Sequence, residues 1–206
     1  RENNGVAVAD YDQDGDLDIF VVAKAKDNSN AITQSKLYRN NNDGSFTDVT
    51  EVAGLTNLFL QIETPGNFFG LDGFKFGAFW GDYNNDGYPD IFFTHLDKVQ
   101  LFRNQGNGFF VEVTDAANIR KFNGCGNTNA LWFDYNNDGF LDLFISDWRR
   151  CDNNTLYKNN GNETFTNVTE TSGISSFNND FSFTAFPFDF NNDGYLDIFL
   201  MNDFSA

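Results

Sequence analysis

Oxygen donors recur at one fixed spacing four times in the chain: Asp10-Tyr-Asp-Gln-Asp-Gly-Asp-Leu-Asp18, Asp82-Tyr-Asn-Asn-Asp-Gly-Tyr-Pro-Asp90, Asp134-Tyr-Asn-Asn-Asp-Gly-Phe-Leu-Asp142 and Asp189-Phe-Asn-Asn-Asp-Gly-Tyr-Leu-Asp197. Positions 1, 3, 5 and 9 are Asp or Asn in every copy. They are Asp10, Asp12, Asp14 and Asp18 in the first loop, and Asp82, Asn84, Asp86 and Asp90 in the second. The third has Asp134, Asn136, Asp138 and Asp142; the fourth has Asp189, Asn191, Asp193 and Asp197. Such a set suits a hard divalent cation, since Ca²⁺ takes about 6–8 oxygens at roughly 2.3–2.6 Å. Position 7 varies among Asp16, Tyr88, Phe140 and Tyr195, a tolerance expected where the ligand is a backbone carbonyl. Position 6 is always glycine (Gly15, Gly87, Gly139, Gly194), as a turn with positive φ requires. The expectation is one Ca²⁺ in each of the four loops, with water completing the shell.

Ordinary Asx turns use the same residue types. Four copies in one register weigh against that reading. So does the mutual repulsion of three or four carboxylates crowded into nine residues. An EF-hand opens similarly, but it needs a bidentate Glu at position 12 and flanking helices. Position 12 here is Val21, Phe93, Ile145 or Leu200, all apolar. The first loop has four ligand carboxylates where the others have three, so it is expected to bind Ca²⁺ most tightly.

The elements around the loops are short and extended. Each loop is followed by an apolar run, Ile19–Val22, Ile91–Phe93, Leu143–Ile145 or Ile198–Met201, read as a buried strand. A second block repeats without gaps: Leu37-Tyr-Arg-Asn to Thr50, Leu101-Phe-Arg-Asn to Thr114, and Leu156-Tyr-Lys-Asn to Thr169. Asn and Gly punctuate it as hairpin turns at Asn40–Gly44 and Asn159–Gly161. The pattern predicts an all-β chain with about four antiparallel strands in roughly 50 residues, the size of a β-propeller blade. Approximate blades are 1–70, 71–125, 126–180 and a partial 181–206, about three and a half in all. The first interval is longer, and its extra residues fall within Thr56–Lys75 as a loop insertion.

Composition bounds the partners. The 206 residues carry 30 Asp and Glu against 13 Lys and Arg, a net charge of −17. A nucleic-acid backbone demands a basic surface, so that partner is excluded. Fourteen of the 30 acids lie in the four loops, and four bound Ca²⁺ would bring the charge to −9. With 40% hydrophobic residues and 26 Phe, the chain is no disordered acidic tail. No apolar run approaches the roughly 18–20 residues of a membrane span. His95 is the only histidine and is read as a packing or surface residue, so no general base with a nucleophile can be assembled and the reading is non-enzymatic. Cys125 and Cys151 each lie nine residues from the third loop. If that loop joins antiparallel strands, the two face each other and are expected to form a disulfide, as in an exported protein.

Phe76-Gly77-Ala78 before the loop Asp82–Asp90 resembles the signature of the FG-GAP or VCBS repeat family, the calcium-binding blades of integrin α-subunit propellers. The other copies keep the loop but vary the signature: Asn4-Gly5, Thr128-Asn129 and Phe183-Thr184. The stretch from Leu37 through Phe46-Thr-Asp-Val-Thr-Glu to Leu55 is similar to the cartilage-acidic-protein-like branch. The resemblance implies a propeller, usually of about seven blades, in a secreted or cell-surface protein. A closed ring needs about four or more complete blades, so either further blades or neighbouring chains complete it. The expected function is an extracellular, Ca²⁺-binding adhesion or assembly module with a protein, carbohydrate or self-assembly partner. The alternatives are a propeller scaffold of a polysaccharide lyase-like enzyme and the subunit of an extracellular fibre.

Overall fold

Each Asp loop turns the chain back on itself, so the runs before and after it pair antiparallel. The computed structural model describes residues 3–23, 34–56, 75–95, 98–120, 126–148, 154–174 and 182–202. Both cysteines and nearly all of the Thr56–Lys75 insertion lie outside them. The strands before and after the first loop are β1 (Asn3–Ala9) and β2 (Asp18–Ala23). The later pairs are β5 (Lys75–Gly81) with β6 (Asp90–His95), β9 (Asn127–Phe133) with β10 (Asp142–Asp147), and β13 (Ser182–Phe188) with β14 (Asp197–Asn202). Register is the same in all four: Ala9↔Asp18, Gly81↔Asp90, Phe133↔Asp142 and Phe188↔Asp197. Position 9 of every loop is thus the first residue of a strand, facing the last residue before position 1.

The second repeated block supplies the outer strands. These are β3 (Lys36–Asn40) and β4 (Phe46–Asp48), β7 (Val99–Asn104) and β8 (Phe110–Glu112), and β11 (Thr155–Asn159) and β12 (Phe165–Asn167). Three four-stranded sheets result, each in simple meander order, plus the two-stranded β13–β14. The two ends of each block are bonded together. The leading Leu donates its N–H to the closing Thr hydroxyl, Leu37 to Thr50 at 3.0 Å, Leu101 to Thr114 at 2.9 Å and Leu156 to Thr169 at 3.0 Å. A hydrogen-bonded turn follows each Thr. In the first copy Ala53 N–H donates to Val49 O at 2.8 Å.

The innermost strands sit side by side in chain order, β1 against β5, β5 against β9 and β9 against β13. This is the radial stacking of propeller blades, with the core lying between blades rather than within one. Alternation explains it: successive side chains of a strand face opposite neighbours. Ile91 and Phe93 pack back on the first blade, while Phe92 packs forward on the third. The same aromatic triad fills two successive junctions. Tyr11 and Trp80 lie 5.8 and 6.1 Å from Phe110; Tyr83 and Trp132 lie 5.7 and 6.1 Å from Phe165. Gly81 is a packing requirement, because a Cβ there would sit 2.7 Å from the Trp132 ring. The turns bridge blades too: Phe110 N–H donates to Ala53 O at 3.0 Å and Phe165 N–H to Ala117 O at 2.9 Å.

Position 2 of each loop is aromatic because it plugs the junction with the next blade. Tyr11 and Tyr83 are 3% and 1% exposed, whereas Phe190 in the fourth loop is 70% exposed. Phe186, Phe188, Phe199 and Met201 share its side of β13–β14 and are exposed with it. Between the third and fourth blades lies a groove of about 510 Å³ lined by Phe144, Leu156, Ile174, Ile198 and Leu200 among others. At the two earlier junctions the outer-strand aromatics Phe102 and Phe110, then Tyr157 and Phe165, belong to the buried core.

Candidate metal centres

The four loops share one internal wiring. The position 1 carboxylate accepts the N–H of position 5: Asp14 to Asp10, Asp86 to Asp82, Asp138 to Asp134 and Asp193 to Asp189, each at 3.1 Å. Its other oxygen accepts the N–H of the position 6 glycine at 2.8–3.0 Å. The position 5 carboxylate in turn accepts the N–H of position 7, at 3.0 Å from Asp16 and 2.9 Å from Tyr88. Position 6 has φ between 86 and 95° in all four, so glycine is needed for the backbone that aims these donors inward. Carboxylates 1 and 5 are therefore each held by backbone N–H donors of their own loop.

Position 9 has two tasks. Asp18, Asp90 and Asp142 are fully buried. One oxygen of each accepts the position 2 N–H (Tyr11, 3.1 Å; Tyr83, 3.2 Å; Tyr135, 3.0 Å). The other accepts the N–H of the Asn that ends the next outer strand (Asn40, 2.8 Å; Asn104, 2.8 Å; Asn159, 2.7 Å). Each oxygen keeps a lone pair for a cation. Burial pushes the Asp90 carboxyl up to about 8 despite those two donors, with Asp86 and Asp82 adding repulsion. Burial likewise lifts Asp18 and Asp142 to about 6. A buried carboxylate among like charges resists ionisation, and a divalent cation reverses that balance.

The first loop offers the fullest donor set. Carboxylate oxygens of Asp10, Asp12 and Asp18 lie within 4.8 Å of one another, the one such acidic group among the described residues. Asp12 Oδ1 is buried without a hydrogen-bond partner, and burial followed by the Asp14 charge raises its carboxyl above the usual range. An orphaned anionic oxygen facing two other carboxylates fits a cation. Asp10, Asp12 and Asp18 would hold it, with the Asp16 carbonyl and water completing the shell. Asp14 lies outside the converging trio.

Loops two to four place Asn84, Asn136 and Asn191 where Asp12 stands. Each carboxamide donates to the position 5 carboxylate at 2.9 Å, so these loops need no third anion to be satisfied internally. In the third loop Lys158 Nζ also lies 3.2 Å from Asp138 Oδ2, and a cation there competes with that ammonium. Tyr88, Phe140 and Tyr195 stand at position 7 with their N–H groups bonded within the loop. His95, the last residue of β6, is buried in the sheet.

Sequence reasoning quoted Asn40, Asn104 and Asn159 in the second block without a role. The structure makes Asn104 and Asn159 links between loops, while Asn40 Nδ2 donates to Leu17 O of its own blade's loop at 3.2 Å. Asn104 Nδ2 donates to Tyr11 O and Pro89 O at 2.8 and 3.1 Å, and Asn159 Nδ2 to Tyr83 O and Leu141 O at 2.8 and 3.0 Å. Their identity in all three copies was the available signal.

The FG-GAP-like repeat profile matches residues 10–93, 82–145 and 134–200, each match opening on a position 1 Asp. The chain belongs to the FG-GAP-like repeat family. No curated protein sequence matches it. Among solved structures it is similar to one described as the structural basis of specific recognition of non-reducing terminal N-acetylglucosamine by an Agrocybe aegerita lectin. The TM-score is 0.54 at 18% identity, covering 94% of this chain and 46% of that one. This FG-GAP chain thus spans about half the length of that neighbour, and the likeness is one of fold.

Proposed function

We propose that the chain is a non-enzymatic, calcium-binding module of an extracellular adhesion or assembly protein, with one Ca²⁺ in each Asp loop. The observation that carries this is the convergence of Asp10, Asp12 and Asp18 around an unpartnered, buried Asp12 oxygen. That loop recurs in the same register three more times. Calorimetric titration of the chain and of Asp12→Asn tests it. The substitution gives loop one the donor set of the other loops, so the tightest calcium step weakens on the order of tenfold. An unchanged tightest step removes loop one from the account.

The acidic surface and the family support an extracellular setting. A Cys125–Cys151 disulfide agrees with it, since the antiparallel rung Asn127↔Asp147 lies between them in sequence on the paired strands β9 and β10. Alkylation of both thiols without reductant would rule it out.

Assembly rests on the aromatic face of β13–β14. Its residues are the register equivalents of side chains buried at earlier junctions, so its natural cover is another blade of the same repeat. Exposed apolar faces of this kind drive association. The isolated 206-residue chain is expected to self-associate in sedimentation velocity, and Phe190→Asp with Phe199→Asp to shift it towards monomer. A monomeric wild type at high concentration contradicts this. A carbohydrate partner is the second reading, favoured by the similarity to a sugar-recognising lectin. Glycan-array binding that survives with calcium and disappears with chelator would support it.

A further inference from the structure

The Asp loops are bonded to one another as well as to themselves. The side chain at position 4 reaches the carbonyl of the position 6 glycine in the next loop: Gln13 Nε2 to Gly87 O, Asn85 Nδ2 to Gly139 O at 2.9 Å and Asn137 Nδ2 to Gly194 O at 2.9 Å. All four position 4 residues are left-handed, with φ of 59° at Gln13, 56° at Asn85, 58° at Asn137 and 60° at Asn192. That region is unfavourable for a residue with a Cβ, least so for Asn. Gln13 accepts it and makes the same contact as Asn85 and Asn137.

The carbonyl that is held belongs to a peptide with a second role. The N–H on the other side of the peptide plane is that of position 7, and it donates to the position 5 carboxylate. Tyr88 donates to Asp86 at 2.9 Å, Phe140 to Asp138 at 3.1 Å and Tyr195 to Asp193 at 2.9 Å. A trans peptide is planar, so fixing its C=O fixes the direction of its N–H. Each position 4 side chain therefore orients, through one rigid plane, a candidate metal ligand in the following loop.

We propose that Gln13, Asn85 and Asn137 are positioning residues that couple calcium binding in consecutive loops: order in one loop pre-sets the position 5 carboxylate of the next. The inference rests on the calcium reading above. Coupling free energies of this kind commonly change affinity by about fivefold or more, and they act equally in both directions.

Hydrogen exchange followed by mass spectrometry across a CaCl₂ titration resolves the loops separately. Asn137→Gly is the discriminating variant, because glycine tolerates the left-handed backbone and deletes only the donor. In wild type, residues 189–197 become protected as calcium rises. With Asn137→Gly the calcium concentration at half-protection of that loop rises about fivefold or more. Asn85→Gly does the same to residues 134–142. Asn192→Gly is the control, as Asn192 makes no such contact among the described residues, and it leaves residues 134–142 unchanged. An unmoved midpoint in loop four with Asn137→Gly, or an equal shift in loop three from Asn192→Gly, overturns the coupling while leaving the calcium sites standing. No calcium-dependent protection of any loop in wild type overturns the calcium reading and the coupling together.

Discussion

Adding EGTA is expected to lower the thermal midpoint of the chain by about 5–10 °C for each site that calcium had occupied at a hundredfold excess over its Kd. A ligand that binds only the folded state at that excess adds about 2.7 kcal/mol, and 1 kcal/mol moves the midpoint of a domain this size by about 2–4 °C. The physical source is relief of crowded carboxylates, above all in the first loop, where three converge within 4.8 Å. The effect depends on pH with a definite sign. Burial holds Asp90 protonated up to about 8 in the metal-free fold, whereas an unfolded Asp loses its proton near pH 4. The folded state then binds more protons than the unfolded chain, so metal-free stability falls as pH rises from about 4 to about 8. Asp18 and Asp142 add the same sign up to about 6. Calcium needs these groups ionised and so binds more tightly at higher pH. The difference in midpoint between calcium-saturated protein and protein stripped of metal beforehand, rather than chelated in place, should accordingly be larger at pH 8 than at pH 5. A difference that is absent, or larger at pH 5, contradicts this description of the loops.

Replacing Asp90 with Ala should destabilise the fold even in EGTA, by about 2–6 kcal/mol, because two backbone donors lose their acceptor and each costs about 1–3 kcal/mol. Those donors are Tyr83 N–H and Asn104 N–H. Asn104 also ties the second blade to Tyr11 O in the first, so the damage reaches the junction. Removing the carboxyl also removes its pH-linked cost, so the loss in EGTA is greatest near pH 4 and shrinks as pH rises towards about 8. The comparison variant is Asp86→Ala. Asp86 is exposed, and its carboxylate caps Tyr88 N–H and accepts from Asn84 Nδ2 within the loop. It should weaken calcium binding at loop two yet cost under about 1 kcal/mol in EGTA. Chemical denaturation of both variants with and without calcium separates ligand from brace. Equal destabilisation in EGTA would mean that position 9 is a metal ligand only.

Much of this was legible because repetition removes ambiguity. One Asp loop reads equally as an Asx turn; four in register fix both the hairpin and its register, and Ala9↔Asp18 recurs as Gly81↔Asp90. The Leu-to-Thr block marked a unit, and the structure gives the reason in the Leu37 N–H to Thr50 hydroxyl bond. What stayed hidden was contact between units. Position 2 aromatics had no role assigned from the sequence, although Tyr11 and Tyr83 are core. Position 4 carried no apparent donor role, although Asn85 and Asn137 bond across 54 and 57 residues of chain. Position 9 was read as a ligand alone, since nothing local shows that Asn40 or Asn104 comes back to meet it. Sequence spacing reports what lies within one supersecondary unit; the junctions depend on how units stack, which the spacing does not encode.

The most direct measurement is calcium stoichiometry at equilibrium: the chain dialysed against millimolar CaCl₂, with bound metal counted by mass spectrometry and by calorimetry. Four Ca²⁺ per chain are expected, falling to three in Asp82→Ala with Asp86→Ala. A chain that retains no calcium under those conditions, or one whose count is unchanged by that double substitution, contradicts the assignment of the loops as metal centres.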